Sequence, residues 1–289
     1  MKKTKVKTQI RKPQKQQRPG SEKKMTPQPV SEKTGPGSDK LRGKVALITG
    51  GDSGIGKAVA LLFAKEGADV SIVYLKEDSD AKDTKMTIEN EYGKKCLLLK
   101  GDIRKEKFCR QIVKDTVSKF GKLNILVNNA ATQYEAKSLE KISTKHMLAT
   151  FETNIFSMFW ITKYALPYME KGSTIVNTTS VTAYRGSPTL IDYSATKGAI
   201  LAFTRSLASN LIDKNIRVNG VAPGPIWTPL IPSTFKTKTK VATHGSDTPM
   251  ERSGEPAEVA PCYLFLASDD SSYMSGQVLH PNGGEIVNG

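Results

Sequence analysis

An α/β domain with a doubly wound, parallel sheet covered by helices on both faces is expected from this sequence. Two observations predict it. From Gly43 onwards, short apolar runs rich in β-formers alternate with stretches that carry apolar residues at helical spacing. The first such run ends in a glycine cluster that leads straight into a helix, as a strand–turn–helix unit does. With 289 residues, 38% apolar and 25% charged, the chain has the size and balance of one large globular domain or two small ones.

The elements follow in order. KVALIT (44–49) reads as the first strand, and IGKAVALLFAKEGA (55–68) as a helix stopped at Gly67. DVSIVYL (69–75) is the second strand, with a helical stretch near 80–92 behind it. KCLLLKGD (95–102), a helix at 105–119 and LNILVNNA (123–130) continue the alternation. Residues 138–170 read as one or two helices, STIVNTTS (173–180) as a strand, and 192–212 as a long helix. IRVNGVAPG (216–224), a helix in GEPAEVAPCYLFLAS (254–268) and a last strand in GQVLHPNGG (276–284) complete seven strands. Helices set between apolar strands imply βαβ units. The segment 225–250 has no strong period and reads as a lid beside the site.

Charge is unevenly spread. The formal net charge is +15, and residues 1–44 hold 14 Lys and Arg against 3 Asp and Glu, so the remainder carries only +4. Residues 1–41 form a basic extension rich in Lys, Gln and Pro; 42–289 form the domain. Such a segment is disordered or wraps a surface, and wrapping across a neighbouring subunit is the expectation. Without aromatics for stacking, it is not expected to bind nucleic acid. No apolar region follows the basic start, as a secretory signal would require, and no run is long enough to span a membrane. Cys96, Cys109 and Cys262 are scattered and odd in number, as are His146, His244 and His280. Neither a disulfide framework nor a metal site is expected, and reduced thiols point to a cytoplasmic protein.

Two motifs carry chemistry. TGGDSGIG (49–56) lies between the first strand and helix, where Gly50, Gly54 and Gly56 let backbone amides approach a pyrophosphate at a helix N-terminus. In YSATKG (193–198), Tyr193 is the only one of nine tyrosines with a lysine four residues on. That spacing puts phenol and ammonium on one helix face, and a nearby cation favours the phenolate. A phenol titrates near about 10, and bringing it down by about three units takes roughly 4 kcal/mol. Ser180 precedes Tyr193 by 13 residues, at a strand's carboxyl end.

TGGDSGIG, NNAA (128–131), Asn154, Ser180, YSATK and PG (223–224) together resemble the short-chain dehydrogenase/reductase family, in the same chain order and over about residues 42–289. The resemblance implies a Rossmann-type fold and an NAD(P)-dependent oxidoreductase that interconverts a secondary alcohol and its carbonyl. It assigns Tyr193 as general acid/base, Lys197 as its electrostatic activator, Ser180 as hydrogen-bond partner of the reacting oxygen, and Asn154 as support for a water path to the lysine. The dinucleotide would lie along Gly50, Asp52, Ser53, Gly54, Ile55 and Gly56, the strand ends Tyr74, Leu75, Asp102 and Ile103, then Asn129 and Ala130, and the loop Pro223, Gly224, Ile226 and Thr228. For Asp102, a helix N-cap is the plainer alternative.

At the end of the second strand Leu75 stands where an acid would grip a ribose hydroxyl or an arginine a 2′-phosphate, with Lys76 beside it. Asp52 would repel a phosphate, so NAD is preferred over NADP. The extension and the ending GQVLHPNGGEIVNG are similar to a bacterial subgroup of general stress or glucose/ribitol dehydrogenase-like enzymes. That likeness implies a sugar, polyol or small carbonyl substrate and a homotetramer. Lys236, Lys238 and Lys240 of the lid are either contacts for an anionic substrate or solvated charges. A reductase of 3-oxoacyl groups on a carrier protein, or a nicotinamide sensor with an anion-binding tail, are the competing readings.

Overall fold

Four of the first five strands are apolar runs with nearly every residue out of water, so helices must cover both faces of the sheet. The computed structural model describes residues 8–33 and 35–287. Residues 1–7 and Thr34 of the expected extension, and 288–289 of the expected domain, lie outside the described residues. In chain order the elements are β1 (Val45–Thr49), α1 (Gly54–Lys65), β2 (Asp69–Tyr74), α2 (Asp78–Glu91), β3 (Cys96–Lys100), α3 (Glu106–Phe120) and β4 (Ile125–Asn128). Then come α4 (Thr144–Phe151), α5 (Ser157–Ala165), β5 (Thr174–Thr178), α6 (Thr182–Arg185), α7 (Ile191–Leu211) and β6 (Arg217–Val221). The chain ends with α8 (Leu230–Thr234), α9 (Lys238–Ala242), α10 (Pro256–Ala267) and β7 (Val278–Leu279).

The strands form one sheet in the order β3-β2-β1-β4-β5-β6-β7, every pair parallel. One face packs on α1 and α10, with Phe63, Ile72, Val259 and Tyr263 in its core; the other packs on α3, α5 and α7, around Leu47, Ile112, Ile161 and Leu211. This is the doubly wound architecture expected. The order reverses between β1 and β4, so a crevice opens beyond their carboxyl ends.

Two expectations need revision, and the one or two helices expected over 138–170 are narrowed. The last strand is two residues long, within the expected 276–284; Pro281, two residues on, accepts from the Gly224 N–H but has no N–H of its own to give the ladder. Residues 144–165 form one helical rod in which Glu152–Phe156 is a π-turn. The segment 225–250 is not irregular: it holds α8 and α9, and the Thr237 side chain caps α9 by accepting from the Lys240 N–H.

The extension also departs from expectation, since its described part wraps its own chain's lid. Met25 is buried in a cluster with Trp227, Ile231 and Val241. The Trp227 indole donates to Pro27 O at 2.9 Å, and the Arg11 guanidinium lies 4.5 Å over the same ring while bonding Glu255 at 2.8 Å. Backbone bonds join Ile10 and Arg11 to Ala242 O and Gln16 to Pro232 O. A polar segment needs few apolar residues to dock when one of them fills a pocket beside a fully buried tryptophan. Met25→Ala is therefore expected to lower stability by about 2 kcal/mol and to red-shift tryptophan emission, both read from a denaturant titration; an unchanged midpoint would show that this cluster does not hold the extension.

Candidate active site

The glycine turn after β1 closes tightly on α1. Gly50 and Gly54 sit at φ +67° and +54°, the left-handed region that side chains avoid. A Cβ on Gly56 would stand 1.9 Å from Gly50 O. The turn borders a cleft of about 870 Å³ beyond the strand ends, in the size range of cofactor and ligand pockets. Asn129 and Ala130, after β4, are fastened to β1: both amides donate to Thr49 Oγ1, at 2.9 and 3.0 Å, and Asn129 Nδ2 donates to Thr49 O.

The second group is assembled by β5, the helix rod and α7. Tyr193 and Lys197 lie one turn apart near the start of α7, both buried, at 9% and 2% exposure. Lys197 Nζ donates to Thr178 O at 2.7 Å and stands 5.4 Å from the Tyr193 ring centre. Thr179 Oγ1 donates to Lys197 O, stitching the end of β5 to the helix. Ser180, two residues past β5, lies close enough to the Tyr193 phenol to ease its ionisation, and its Oγ accepts from the Thr182 N–H. Asp192 orients the start of α7 by accepting from the Tyr193 N–H and from Thr150 Oγ1.

Asn154 falls inside the π-turn, a device common at functional sites. Its amide accepts from the Thr132 N–H and donates to Thr132 O and to Thr196 Oγ1, at 2.8, 2.9 and 3.1 Å. It thereby ties the loop after β4 to α7, and its side chain bonds no atom of Lys197.

Burial dominates the electrostatics here. It pushes the Tyr193 phenol up to about 12 and draws the Lys197 ammonium down to about 7. The expected lowering of the phenol by its lysine is therefore not a property of the chain by itself: loss of water raises it, and the Ser180 side chain is what pulls the other way. Cys96 and Cys109, buried in the core, have thiols raised to about 12 by the same cause, which makes them inert.

Around the glycine turn the sequence reading missed a contributor from the extension. Ser53 occupies the N-cap of α1 without a side-chain bond; the Glu22 carboxylate does that work, accepting from the Gly54 N–H at 2.7 Å and from Lys57 Nζ at 2.6 Å. Part of the helix terminus expected to face a pyrophosphate is thus already paired. Nothing in QRPGSEKK marks this glutamate, because the contact spans 32 residues.

Asp52 is buried near Asp80 and Glu22, and burial first, then those carboxylates, raises it to about 7. Its charged form is disfavoured in the fold, so the folded state holds a proton that the unfolded chain releases between about pH 4 and about pH 7. Stability must fall as pH rises through that window. Asp52→Asn is expected to flatten this fall by an amount on the order of a few kcal/mol, measured as urea midpoints for both proteins at about pH 5 and about pH 7; parallel pH dependences would refute it.

Of the catalytic and cofactor residues singled out from sequence, all but Gly56 and Asn154 line this one cleft, and of the lid lysines Lys240 lines it while Lys236 and Lys238 do not. Gly56 lies behind the turn and Asn154 behind the loop after β4. Tyr74 and Leu75 end β2, and the Tyr74 hydroxyl donates to Asp78 at 2.8 Å. Asp102 does not cap α3; it accepts from the Arg104 N–H and pairs with the Arg104 guanidinium, with Ile103 buried beside it. Pro223, Gly224, Ile226 and Thr228 form the opposite wall, Gly224 so close to Asn282 that a Cβ would stand 2.7 Å from its Cα. Of the lid lysines, Lys240 is held in an ion pair with Glu135.

Residues 50–285 match a family model described as enoyl-(acyl carrier protein) reductase. The chain is 57% identical to general stress protein 39 of Bacillus subtilis over 270 residues, 93% of this chain and 94% of that one. It is 51% identical to a glucose and ribitol dehydrogenase of Daucus carota over 285 residues, 96% and 97% of the two chains. Among solved structures, a short-chain dehydrogenase of Burkholderia cenocepacia J2315 in complex with NADP superposes with a TM-score of 0.79 at 30% identity, covering 85% of this chain and 98% of that one.

Proposed function

Because the chain belongs to the short-chain dehydrogenase/reductase family of oxidoreductases, we propose that it interconverts a secondary alcohol, of the sugar, polyol or small hydroxy class, and the matching carbonyl, with Tyr193 as general acid/base. The observation that carries this reading is the buried Ser180, Tyr193 and Lys197 group opening into the same cleft as the glycine turn.

A nicotinamide dinucleotide fits the residues present: the turn is kept free of side chains where the backbone must be approached, and the cleft has the volume. Gly50, Ser53, Gly54, Ile55, Asn129, Gly224 and Thr228 would hold it. When bound, it supplies or accepts the hydride. In reduction, Ser180 Oγ and Tyr193 Oη donate hydrogen bonds to the substrate carbonyl oxygen, and Tyr193 passes its proton to that oxygen as the carbon is reduced. Lys197, fixed on Thr178 O, faces the phenolate left behind and stabilises it when charged. Oxidation reverses each step, Tyr193 taking the hydroxyl proton. Asn154 acts as a positioning residue through Thr132 and Thr196.

A preference for NAD rests on Asp52 in the turn, whose carboxylate repels a 2′-phosphate once it ionises near about 7; Leu75, just past β2, selects neither dinucleotide, and Lys76 on the cleft wall favours NADP. The test is reduced-nicotinamide absorbance with each dinucleotide across sugars, polyols and simple carbonyls. A chain that binds a dinucleotide tightly and turns over none of them would overturn the enzyme reading in favour of a sensor. A homotetramer is part of the proposal, supported by the exposed Leu148, Phe156 and Phe159, with Phe159 4.3 Å from Phe203 of α7; a monomer by light scattering would refute it. The domain is proposed as 42–289 with 1–41 as its extension, acting in the cytoplasm.

A further inference from the structure

Of the lid lysines that were candidates for an anionic substrate, Lys236 and Lys238 do not line the cleft and Lys240 holds Glu135, whereas an arginine of the extension stands on the cleft wall with no carboxylate on it among the described residues. Arg18, Pro19 and Gly20 of the extension form part of the cleft wall. Two contacts fix the segment. Gly20 is packed on the lid, where an added Cβ would stand 2.7 Å from Pro229 O, and Glu22 is bound to the Gly54 N–H. Between them the chain crosses the mouth of the cleft.

Arg18 is solvent-accessible in the cleft and held in place from two sides. Its guanidinium lies 4.0 Å over the Tyr134 ring and donates to Gln133 O at 2.5 Å. Tyr134 in turn stacks on His146, with ring centres 4.1 Å apart, so the platform is itself rigid. Stacking fixes a guanidinium's plane without using up its donors. The other charged pairs on this wall are closed: Lys240 holds Glu135, and Arg185 holds Glu285 at 3.1 Å. Arg18 forms no ion pair with either carboxylate, with Asp247, or with any other described residue. Burial lowers its proton affinity, and only the Tyr134 hydroxyl acts the other way.

The platform belongs to the reacting end of the cleft. Gln133 and Tyr134 directly follow Thr132, which Asn154 grips, and the Ala136 N–H bonds Thr189 O in the segment that leads into Tyr193. Gln133 also reaches the lid, donating to Thr234 Oγ1 at 3.2 Å.

We propose that the N-terminal extension completes the substrate site, with Arg18 as the anchor for an oxyanion, a phosphate or carboxylate, carried by the alcohol or carbonyl substrate. This rests on the oxidoreductase reading above and narrows its substrate class to anionic hydroxy and oxo compounds. A planar fork on a rigid ring is the geometry that receives such groups through two parallel bonds.

The test compares the full chain with Arg18→Gln and Arg18→Lys. Paired ketones that differ in a phosphate group, dihydroxyacetone and dihydroxyacetone phosphate, give the ratio of kcat/KM for the anionic to the neutral member. Arg18→Gln is expected to lower that ratio about tenfold or more, through KM, and Arg18→Lys to restore part of it. An unchanged ratio would overturn the proposal and leave Arg18 as a clamp on Tyr134. A raised Kd for the dinucleotide, with the ratio intact, would overturn it too, by giving the oxyanion to the cofactor. A readout free of turnover separates this from the enzyme reading. Calorimetry with inorganic phosphate, in the presence of dinucleotide, is expected to show binding that Arg18→Gln loses. Phosphate binding lost in the variant with no substrate turned over would sink the enzyme reading and keep the anion site. No phosphate binding to the wild type would sink the site.

Discussion

Tyr193→Phe is expected to lower kcat by about a thousandfold, the scale of a lost general acid/base. The change removes one oxygen and keeps the ring, so the packing of α7 against the end of β5 survives. Lys197 retains its bond to Thr178 O, and Thr179 still holds Lys197 O. Dinucleotide affinity should therefore stay within about threefold, and stability within about 1 kcal/mol. The separation of the two readouts is what identifies the role. A phenol used only to fill space would be replaced by phenylalanine with little effect on rate. Loss of rate together with loss of dinucleotide binding would instead indicate a collapsed site. Residual turnover within tenfold of the wild type would remove Tyr193 from the chemistry.

Gly56→Ala is the second large effect. The added methyl would lie 1.9 Å from Gly50 O and 2.7 Å from Asn129 Nδ2. The first contact is to backbone, so no side chain can swing aside. Either α1 moves off the turn or the turn opens, and each displaces the Asn129 amide from Thr49 O. Overpacking of this kind costs about 1–3 kcal/mol, and the affinity for either dinucleotide is expected to fall about a hundredfold as the turn loses its shape. Equilibrium binding monitored by nicotinamide fluorescence, beside a urea titration, measures both. Wild-type affinity in this variant would mean that the tight turn is not what holds the dinucleotide.

Much of this architecture could be read from residue patterns. Strands buried on both faces announce themselves as apolar runs, and the glycines needed for φ above zero or for close approach cannot be disguised. Tyr193 and Lys197 were visible because four residues on a helix is a spatial relation as well as a spacing. The hidden features are those made by distance in the chain. Glu22 at α1 and Arg18 at Tyr134 belong to a segment whose composition resembles any solvated tail, and no local pattern tells a docked charge from a free one. The five-residue helices α8 and α9 are too short to show a period, and the π-turn sets Asn154 on Thr132 and Thr196, partners 22 and 42 residues away that no propensity encodes. The pull of burial on Tyr193 was likewise invisible, since a sequence shows which charges are near but not how much water has gone.

The path of residues 18–22 has a topological consequence. β1 and β4 lie side by side, and the chain leaves them in opposite directions to make the crevice. Glu22 is fastened to the turn that follows β1, and Arg18 to the loop that follows β4. The span between them therefore closes a ring, with the two strands as one half and the extension as the other. The extension is thus a wall of the crevice in its own right, held at both ends by the loops that follow the two central strands.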